Sequence, residues 1–212
     1  MSSASLLLST AYFPPVHYFS LIDTNDGVLI ENRENYVKQT YRNRCRIYSA
    51  NGPIDLSVPV FDGSFRKRPI SEIRIDHTRR WQQVHTGAIE SAYRSTPYFE
   101  YYFDGVRDII QKKFELLTDL NRETLKWAFG ITGTCANVTR TESFVKPDAG
   151  PLDWRYKLSP KRSAELRLFS FRTYEQAFSE RYGFIPGLSI LDLIFNMGPD
   201  SGMVIRETQM LK

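Results

Sequence analysis

Short apolar runs separated by turn residues make up the first third of the chain. Residues 5–13 are largely apolar and end at a pair of prolines, and two further apolar runs cover residues 28–30 and 54–60. Residues 70–76 alternate apolar and polar side chains, which is typical of a half-buried strand. The pattern predicts strands at these four places, with a short helix through residues 21–22 after the first strand.

Helical spacing of apolar residues dominates from residue 79 onward. Residues 79–95 are predicted to form an amphipathic helix whose buried face carries four residues at helical spacing. These four are Trp81, His85, Ile89 and Ala92. One or two further helices are predicted over residues 104–129, with a break where Asn121 would act as an N-cap. A helix around residues 174–182 and a strongly apolar one over 189–197 complete the pattern.

The order of these elements predicts one domain of α/β or α+β class, because strands come first and helices follow. Its N-terminal strands would form a small sheet, covered by helices of the middle and C-terminal parts. We divide the 212-residue chain into a strand-rich part (1–78), a helical part (79–130), a long loop (140–162) and a C-terminal helical part (163–212). A hydrophobic fraction of 42% is enough for a full core at this length.

The 140–162 segment is rich in proline and charge and shows no apolar periodicity. Loops of this length are often lids or binding loops. We expect its 147–162 part to be mobile and to complete a site when a ligand binds. Lys157, Lys161 and Arg162 would then reach the bound anion.

The most basic segment is residues 36–46, which places four cations, an asparagine and two tyrosines between apolar runs. Guanidinium and ammonium groups bind phosphate and carboxylate. We therefore expect an anion-binding site here. Its residues would be Lys38, Asn43, Arg44 and Arg46. The alternative is a solvated edge strand that its charges protect from pairing.

Three further polar residues are candidates for the same site. Tyr12 and His17 flank the prolines after the first strand, and ligands of open α/β sheets gather where strands end and helices begin. His85 is predicted to border this site as the catalytic acid or base, with a pKa lowered by the neighbouring guanidinium groups. The alternatives are a simple proline turn and a structural histidine in the core.

Composition narrows the classes of ligand and partner. The net charge of +4 is compatible with a small anionic substrate, and the chain has no basic tail that would indicate a nucleic-acid binder. The two cysteines and three histidines are widely separated, which argues against a disulfide framework and a metal site. Phosphate-loop and dinucleotide fingerprints are missing, so no cofactor is predicted. The apolar run at residues 6–8 is too short for a signal or membrane span, which favours a cytoplasmic protein.

Three groups of residues occur in an order that resembles the WbqC-like family. They are Tyr12-Phe13-Pro14-Pro15-Val16-His17-Tyr18-Phe19, then Lys38 with Asn43-Arg44-Cys45-Arg46-Ile47, then Trp81-(x3)-His85-(x3)-Ile89-(x3)-Tyr93-(x3)-Pro97. Residues 183–196 resemble a branch of the family that is common in the Bacteroidetes. The chain departs from the family pattern at Ser9-Thr10, where many members carry Gln-Pro, and at His17, where a glycine is frequent.

The resemblance implies a role in bacterial surface-polysaccharide biosynthesis, of the O-antigen or lipopolysaccharide type, where transfer of glycine to a sugar has been suggested. We therefore favour a transferase that acts on an activated sugar or an aminoacyl donor, with His85 taking the acceptor's proton. Two alternatives stay open. One is a nucleotidyltransferase-like nucleotide-binding enzyme, and the other is a non-catalytic sugar-nucleotide-binding or scaffold subunit. In each case the ligand is a small anion: an activated sugar, a nucleotide or an amino acid.

Overall fold

A computed structural model describes residues 6–61, 67–147, 152–161 and 163–211 of the chain. Its strands are β1 (Leu6–Ser9), β2 (Gly27–Glu31), β3 (Arg44–Ser49), β4 (Gly52–Ser57), β5 (Asn137–Arg140), β6 (Leu152–Asp153), β7 (Phe169–Ser170) and β8 (Gln209–Met210). Its α-helices are α1 (Val16–Asp23), α2 (Trp81–Tyr93), α3 (Phe99–Gln111), α4 (Leu117–Thr132), α5 (Ser163–Leu166), α6 (Ser179–Tyr182), α7 (Ile190–Met197) and α8 (Ser201–Glu207). Among the described helices, none combines the length and the apolar composition that crossing a membrane requires.

The main sheet of the described residues has four parallel strands in the order β5-β2-β1-β6. By their place along the chain, these are the third, second, first and fourth strands of that sheet. Leu7 of β1 lies between Leu29 of β2 and Asp153 of β6, so β1 is a central strand. The three leucines of β1 point alternately to opposite faces and are all buried, as in a parallel sheet covered on both sides. The predicted α/β class is confirmed.

A separate antiparallel hairpin joins β3 to β4. Cys45 and Ile47 of β3 are buried, whereas Arg44 and Arg46, which alternate with them, are partly exposed. Opposite these arginines stand Ser57 and Asp55 of β4. The period of two therefore turns the basic side chains of β3 away from the core.

The helices with the strongest apolar period form where they are expected. In α2 the four residues predicted to share one face are all buried. In α7 Ser189 is the N-cap, and its Oγ accepts a hydrogen bond from the backbone N–H of Leu191. The helix predicted around residues 174–182 is shorter than expected, because only Ser179–Tyr182 is helical.

The strand predicted over residues 70–76 is wrong. Ile70–Glu72 forms a 3₁₀ turn, in which the Ile73 backbone N–H donates to the Ile70 carbonyl. Only isolated bridges follow, from Arg74 to Leu116 and from Ile75 to Val60. The isoleucines at 70, 73 and 75 are buried, so the alternation of apolar and polar residues in this segment reflects burial without a strand.

The helix break predicted at Asn121 is also wrong, because α3 ends at Gln111 and Asn121 lies inside α4. The chain is extended between the two helices, where the Ile75 N–H donates to the Glu115 carbonyl and the Leu117 N–H to the Ile73 carbonyl. These non-local hydrogen bonds hold the segment between the two helices. Asn121 contacts Thr10 and Arg42 instead of capping a helix.

The 140–162 segment contains a strand of the main sheet, contrary to the expectation of a long irregular loop. β6 pairs with β1, and three of the five residues after it are buried: Trp154, Arg155 and Leu158. The prediction of a mobile lid is therefore wrong for residues 152–161, where Lys157 lies over the Trp154 ring at 5.1 Å. Residues 148–151 and Arg162 lie outside the described residues.

Candidate functional site

The predicted basic residues of the hairpin are paired with a carboxylate. Arg44 Nη1 lies 3.1 Å from Asp55 Oδ2, and Arg46 Nε lies 2.8 Å from Asp55 Oδ1. Lys38 is exposed in the segment that precedes the hairpin. Asn43 is buried, and its Nδ2 donates to the Val58 carbonyl at 2.9 Å.

Tyr12 and His17 are fully buried, so they face no common surface with these basic residues. His17 packs against the Phe169 ring at a centroid distance of 5.0 Å, and its Nε2 lies 3.5 Å from Glu165 Oε1. Glu165 also accepts a hydrogen bond from the Tyr41 hydroxyl at 2.8 Å. The prediction that the six binding residues come together in one site is therefore wrong.

His85 lies in the core, with only 2% of its surface exposed. Its Nδ1 is 2.9 Å from the Tyr12 hydroxyl, and its ring packs on Trp81 at a centroid distance of 5.1 Å. Burial lowers the pKa of His85 to about 4, against the opposing effect of a backbone hydrogen bond at Ser57. The expected cause, neighbouring guanidinium groups, and the expected place, at the border of the anion-binding site, are therefore wrong. Its catalytic role stays a prediction.

Two arginines that the sequence analysis did not select lie at the carboxyl ends of the parallel strands. Arg42 Nη2 is 2.6 Å from Glu34 Oε2 and donates to Ser9 Oγ at 2.7 Å. Arg155 Nη1 is 2.9 Å from Glu31 Oε2, and its Nη2 is 2.6 Å from Asp153 Oδ2. We call these five charged residues the edge network, because they join the ends of β1, β2 and β6.

The edge network is largely buried, and the Tyr156 ring separates its two arginines from solvent. The half-exposed Tyr156 ring lies 5.9 Å from Arg42 Cζ and 5.6 Å from Arg155 Cζ. Glu31 accepts further hydrogen bonds from Thr141 Oγ1 and from the backbone N–H groups of Arg33 and Val145. Because every acceptor position of Glu31 is used, this carboxylate holds the fold together and is not available to a ligand.

A cavity of about 110 Å³ opens beside the edge network, between the end of the sheet and the first turns of α4. We call it the edge cavity. Its lining residues are Thr10, Ala11, Tyr18, Ile30, Thr118, Asn121, Arg122, Leu125, Val138 and Arg140. A smaller pocket on the other side of β1 shares Thr10, Ala11 and Tyr18 with it and is also lined by Arg42, Trp154 and Arg155.

Two buried polar atoms at these cavities have no hydrogen-bond partner among the described residues. Asn121 Nδ2 donates to Thr10 Oγ1 at 3.1 Å and to the Arg42 carbonyl at 2.8 Å, which leaves Asn121 Oδ1 as a free acceptor. Trp154 Nε1 is a free donor. Since buried polar groups are almost always satisfied, each atom is a site for a hydrogen bond to a water molecule or a ligand in these cavities.

The N-terminus of α1, where doubly wound folds bind phosphate, is covered in this protein. The Val16 N–H donates to the Leu188 carbonyl at 3.1 Å, and Pro15 pairs with Ser189. The β1–α1 turn, residues 10–15, contains no glycine that would let a phosphate approach its backbone. An anion at this edge must therefore be held by side chains.

Comparison with known proteins identifies relatives but no solved structure. Residues 10–168 match the WbqC-like protein family. The chain is also similar to the uncharacterised protein Rv1507c of Mycobacterium tuberculosis (strain ATCC 25618 / H37Rv). The two are 28% identical over 227 aligned positions, which cover 94% of this chain and 96% of that protein. No solved structure matches the chain.

Proposed function

This chain belongs to the WbqC-like protein family, and we propose that it is a cytoplasmic transferase of bacterial surface-polysaccharide assembly that binds its activated donor in the edge cavity. The observation that carries the proposal is the strand order. In open α/β sheets, ligands bind outside the carboxyl ends of the strands where the strand order reverses. Here the order reverses between β1 and β6, and the edge cavity adjoins this point through Thr10 and Ala11, which directly follow β1.

The edge network supports this proposal by fixing the strand ends beside the site. Arg42 and Arg155 tie the ends of β1, β2 and β6 to one another through buried ion pairs and the hydrogen bond from Arg42 to Ser9. Catalytic and binding groups need this kind of rigid support to keep a productive geometry. In the transfer, an amine or hydroxyl of the acceptor bonds to the transferred carbon, the bond to the leaving group breaks, and a base takes the acceptor's proton.

A nucleotidyltransferase-like enzyme is the second candidate, and the same strand order favours it, because doubly wound sheets of this order bind nucleotides. Such an enzyme would bond a phosphate or sugar oxygen of its acceptor to the α-phosphorus of a nucleoside triphosphate and release diphosphate. Release of diphosphate would distinguish it from the first candidate. Binding of a sugar nucleotide without turnover would support the non-catalytic alternative.

Ligand-induced thermal stabilisation tests the site directly. Nucleoside triphosphates, sugar nucleotides and amino acids are added to the full chain, and a true ligand at a hundredfold excess over its Kd stabilises the protein by about 2.7 kcal/mol. We expect Leu125→Trp, which places a large side chain at the cavity wall, to abolish this stabilisation. Val84→Trp is the matched control, because Val84 is exposed on α2 and does not line the edge cavity.

Two outcomes would contradict the proposal. One is that no candidate donor stabilises the protein. The other is that Leu125→Trp keeps the full stabilisation seen with Val84→Trp, which would place the ligand away from the edge cavity.

A further inference from the structure

The size and lining of the edge cavity select a single ring. Its lining is apolar at Ala11, Ile30, Leu125 and Val138. Of its polar side chains, the buried Asn121 marks the inner end, and the partly exposed Arg122 and Arg140 mark the rim. An apolar cavity of about 150 Å³ binds one benzene molecule. The edge cavity is smaller, at about 110 Å³, so it takes at most one six-membered ring, part of which stays at its open side, and not a bicyclic purine.

The polar end of the cavity selects a ring that carries a hydrogen-bond donor. The Arg42 carbonyl is only an acceptor, so the Asn121 group facing it must be the amide nitrogen. This fixes Asn121 Oδ1 as the acceptor that is left for a ligand. A uracil or thymine ring presents its N3–H to such an acceptor, and cytosine presents its amino group.

The rim of the cavity selects an anion. Arg122 Nη2 and Arg140 Nη2 share the carboxylate of Asp119, at 3.6 Å and 3.8 Å. Arg122 Nε also lies 3.8 Å from Glu123 Oε1, and Arg140 Nη2 donates to the Thr118 carbonyl at 3.2 Å. All three ion-pair distances are longer than a charge-assisted hydrogen bond of about 2.7–2.9 Å, so both guanidinium groups keep donors for a further anion. Burial and the charge of Arg122 lower the pKa of Arg140, which means that a second anion nearby would stabilise its charged form.

From these three observations we infer that the edge cavity binds a pyrimidine nucleoside diphosphate, either free or as the carrier of an activated sugar. The ring enters the cavity with its N–H group toward Asn121, and the phosphates lie against Arg122 and Arg140. The inference rests on the proposed function, for which it names the class of donor. In this arrangement two arginines bind the phosphates, because the N-terminus of α1, which binds them in doubly wound folds, is covered here.

Modified ligands test the ring without changing the protein. Isothermal titration of the full chain with uridine diphosphate, its N3-methyl derivative, adenosine diphosphate and inorganic diphosphate should rank uridine diphosphate as the tightest. The N3-methyl group removes the donor, so we expect affinity to fall about tenfold or more. Equal affinity for adenosine diphosphate, or no effect of the N3-methyl group, would overturn the inference.

Two variants test the rim. Arg122→Gln and Arg140→Gln should each weaken uridine diphosphate about tenfold, because each removes a charged phosphate contact. Arg107→Gln is the matched control, since Arg107 is similarly exposed and pairs with Asp104 at the same helical spacing as Arg122 with Asp119. Unchanged affinity in both rim variants would make the assignment of the phosphates wrong.

The inference and the proposed function fail in different ways. If a purine sugar nucleotide or an amino acid binds and Leu125→Trp blocks it, the inference is wrong and the proposed function stands. If nothing binds in the edge cavity, both are wrong.

Discussion

Replacing Arg155 with leucine is expected to lower the free energy of unfolding by about 3–5 kcal/mol. Arg155 is fully buried and pairs with Glu31 and Asp153 at 2.9 Å and 2.6 Å. Removing it leaves the fully buried Glu31 without its cation, and an uncompensated buried charge costs far more than the pair itself contributes. Urea denaturation at neutral pH, followed by circular dichroism, measures the change.

Two further variants separate this effect from the loss of a generic ion pair. Arg172→Leu removes a partner of Glu207 in a pair whose members are both about half exposed, and should cost no more than about 1 kcal/mol. Adding Glu31→Leu to Arg155→Leu should recover part of the loss, because the unpaired charge is then absent. A loss in Arg155→Leu as small as that of the surface control would contradict the role of the edge network.

The elements predicted correctly from the sequence are those whose signal is local. The thirteen residues of α2 repeat the apolar spacing several times, and α7 combines a serine N-cap with an apolar run that only Asp192 interrupts before Asn196. β5 and β6 were missed because they have four and two residues, too few for a period to show. Their place in the sheet is fixed by pairing with β2 and β1, which are far away along the chain.

The site was harder to predict than the fold because the burial of each cation depends on its partners. The sequence treats Arg42, Arg44 and Arg46 alike, as neighbours in one basic segment. The register of the hairpin turns Arg44 and Arg46 toward Asp55 at the surface, whereas Arg42, which precedes β3, meets the buried Glu34. Nothing in the local sequence distinguishes these outcomes.

Asn121 shows the same limit. Its sequence context is that of a helix N-cap, and its role as a buried donor to the Arg42 carbonyl depends on a residue 79 positions away. Distant hydrogen-bond partners of this kind become visible only when the sheet is assembled. The unpaired Oδ1 that marks the edge cavity could therefore not be found from the sequence.

Two buried groups in the core should give the stability opposite dependences on pH. Burial lowers the pKa of His85 from 6.5 to about 4. Burial raises the pKa of Asp192 from 3.8 to about 6, although hydrogen bonds from Tyr174, Tyr93 and Gln176 oppose the rise. Between about pH 4 and 6, each of the two groups binds a different number of protons in the folded chain than in the unfolded chain.

His85 makes the protein less stable as the pH falls, because the unfolded histidine takes up a proton near pH 6.5 and the folded one only near pH 4. Asp192 acts in the other direction. The folded carboxyl keeps its proton up to about pH 6, whereas the unfolded one loses it near 3.8, so its contribution is lost as the pH rises through this window. At 1.36 kcal/mol per pH unit, each effect amounts to roughly 3 kcal/mol, and the two largely offset each other.

His85→Gln should uncover the contribution of Asp192. As the pH is lowered from about 7 to 4, the free energy of unfolding of the variant should rise by roughly 3 kcal/mol relative to that of the native protein. The reason is that the variant lacks the buried imidazole whose protonation favours the unfolded chain. Asp192→Asn is the matched control and should shift the profile in the opposite direction. Urea denaturation at several pH values gives both profiles, and parallel profiles for the native protein and His85→Gln would show that His85 does not titrate as the structure indicates.

The same variant tests His85 as the catalytic base, provided that turnover is measured at about pH 8, where His85 is neutral in the folded and the unfolded chain and its titration does not affect stability. A catalytic base predicts that turnover per folded molecule falls about 10²–10⁴-fold in His85→Gln. Tyr12 directly follows the cavity-lining Ala11 in the sequence, and its hydroxyl contacts the His85 imidazole. If His85 is the base, Tyr12→Phe should therefore lower turnover as well. If both variants lose stability and keep their turnover, His85 is a structural partner of Tyr12, and the base assignment is wrong. The proposal that the donor binds in the edge cavity would still stand, since neither His85 nor Tyr12 lines this cavity.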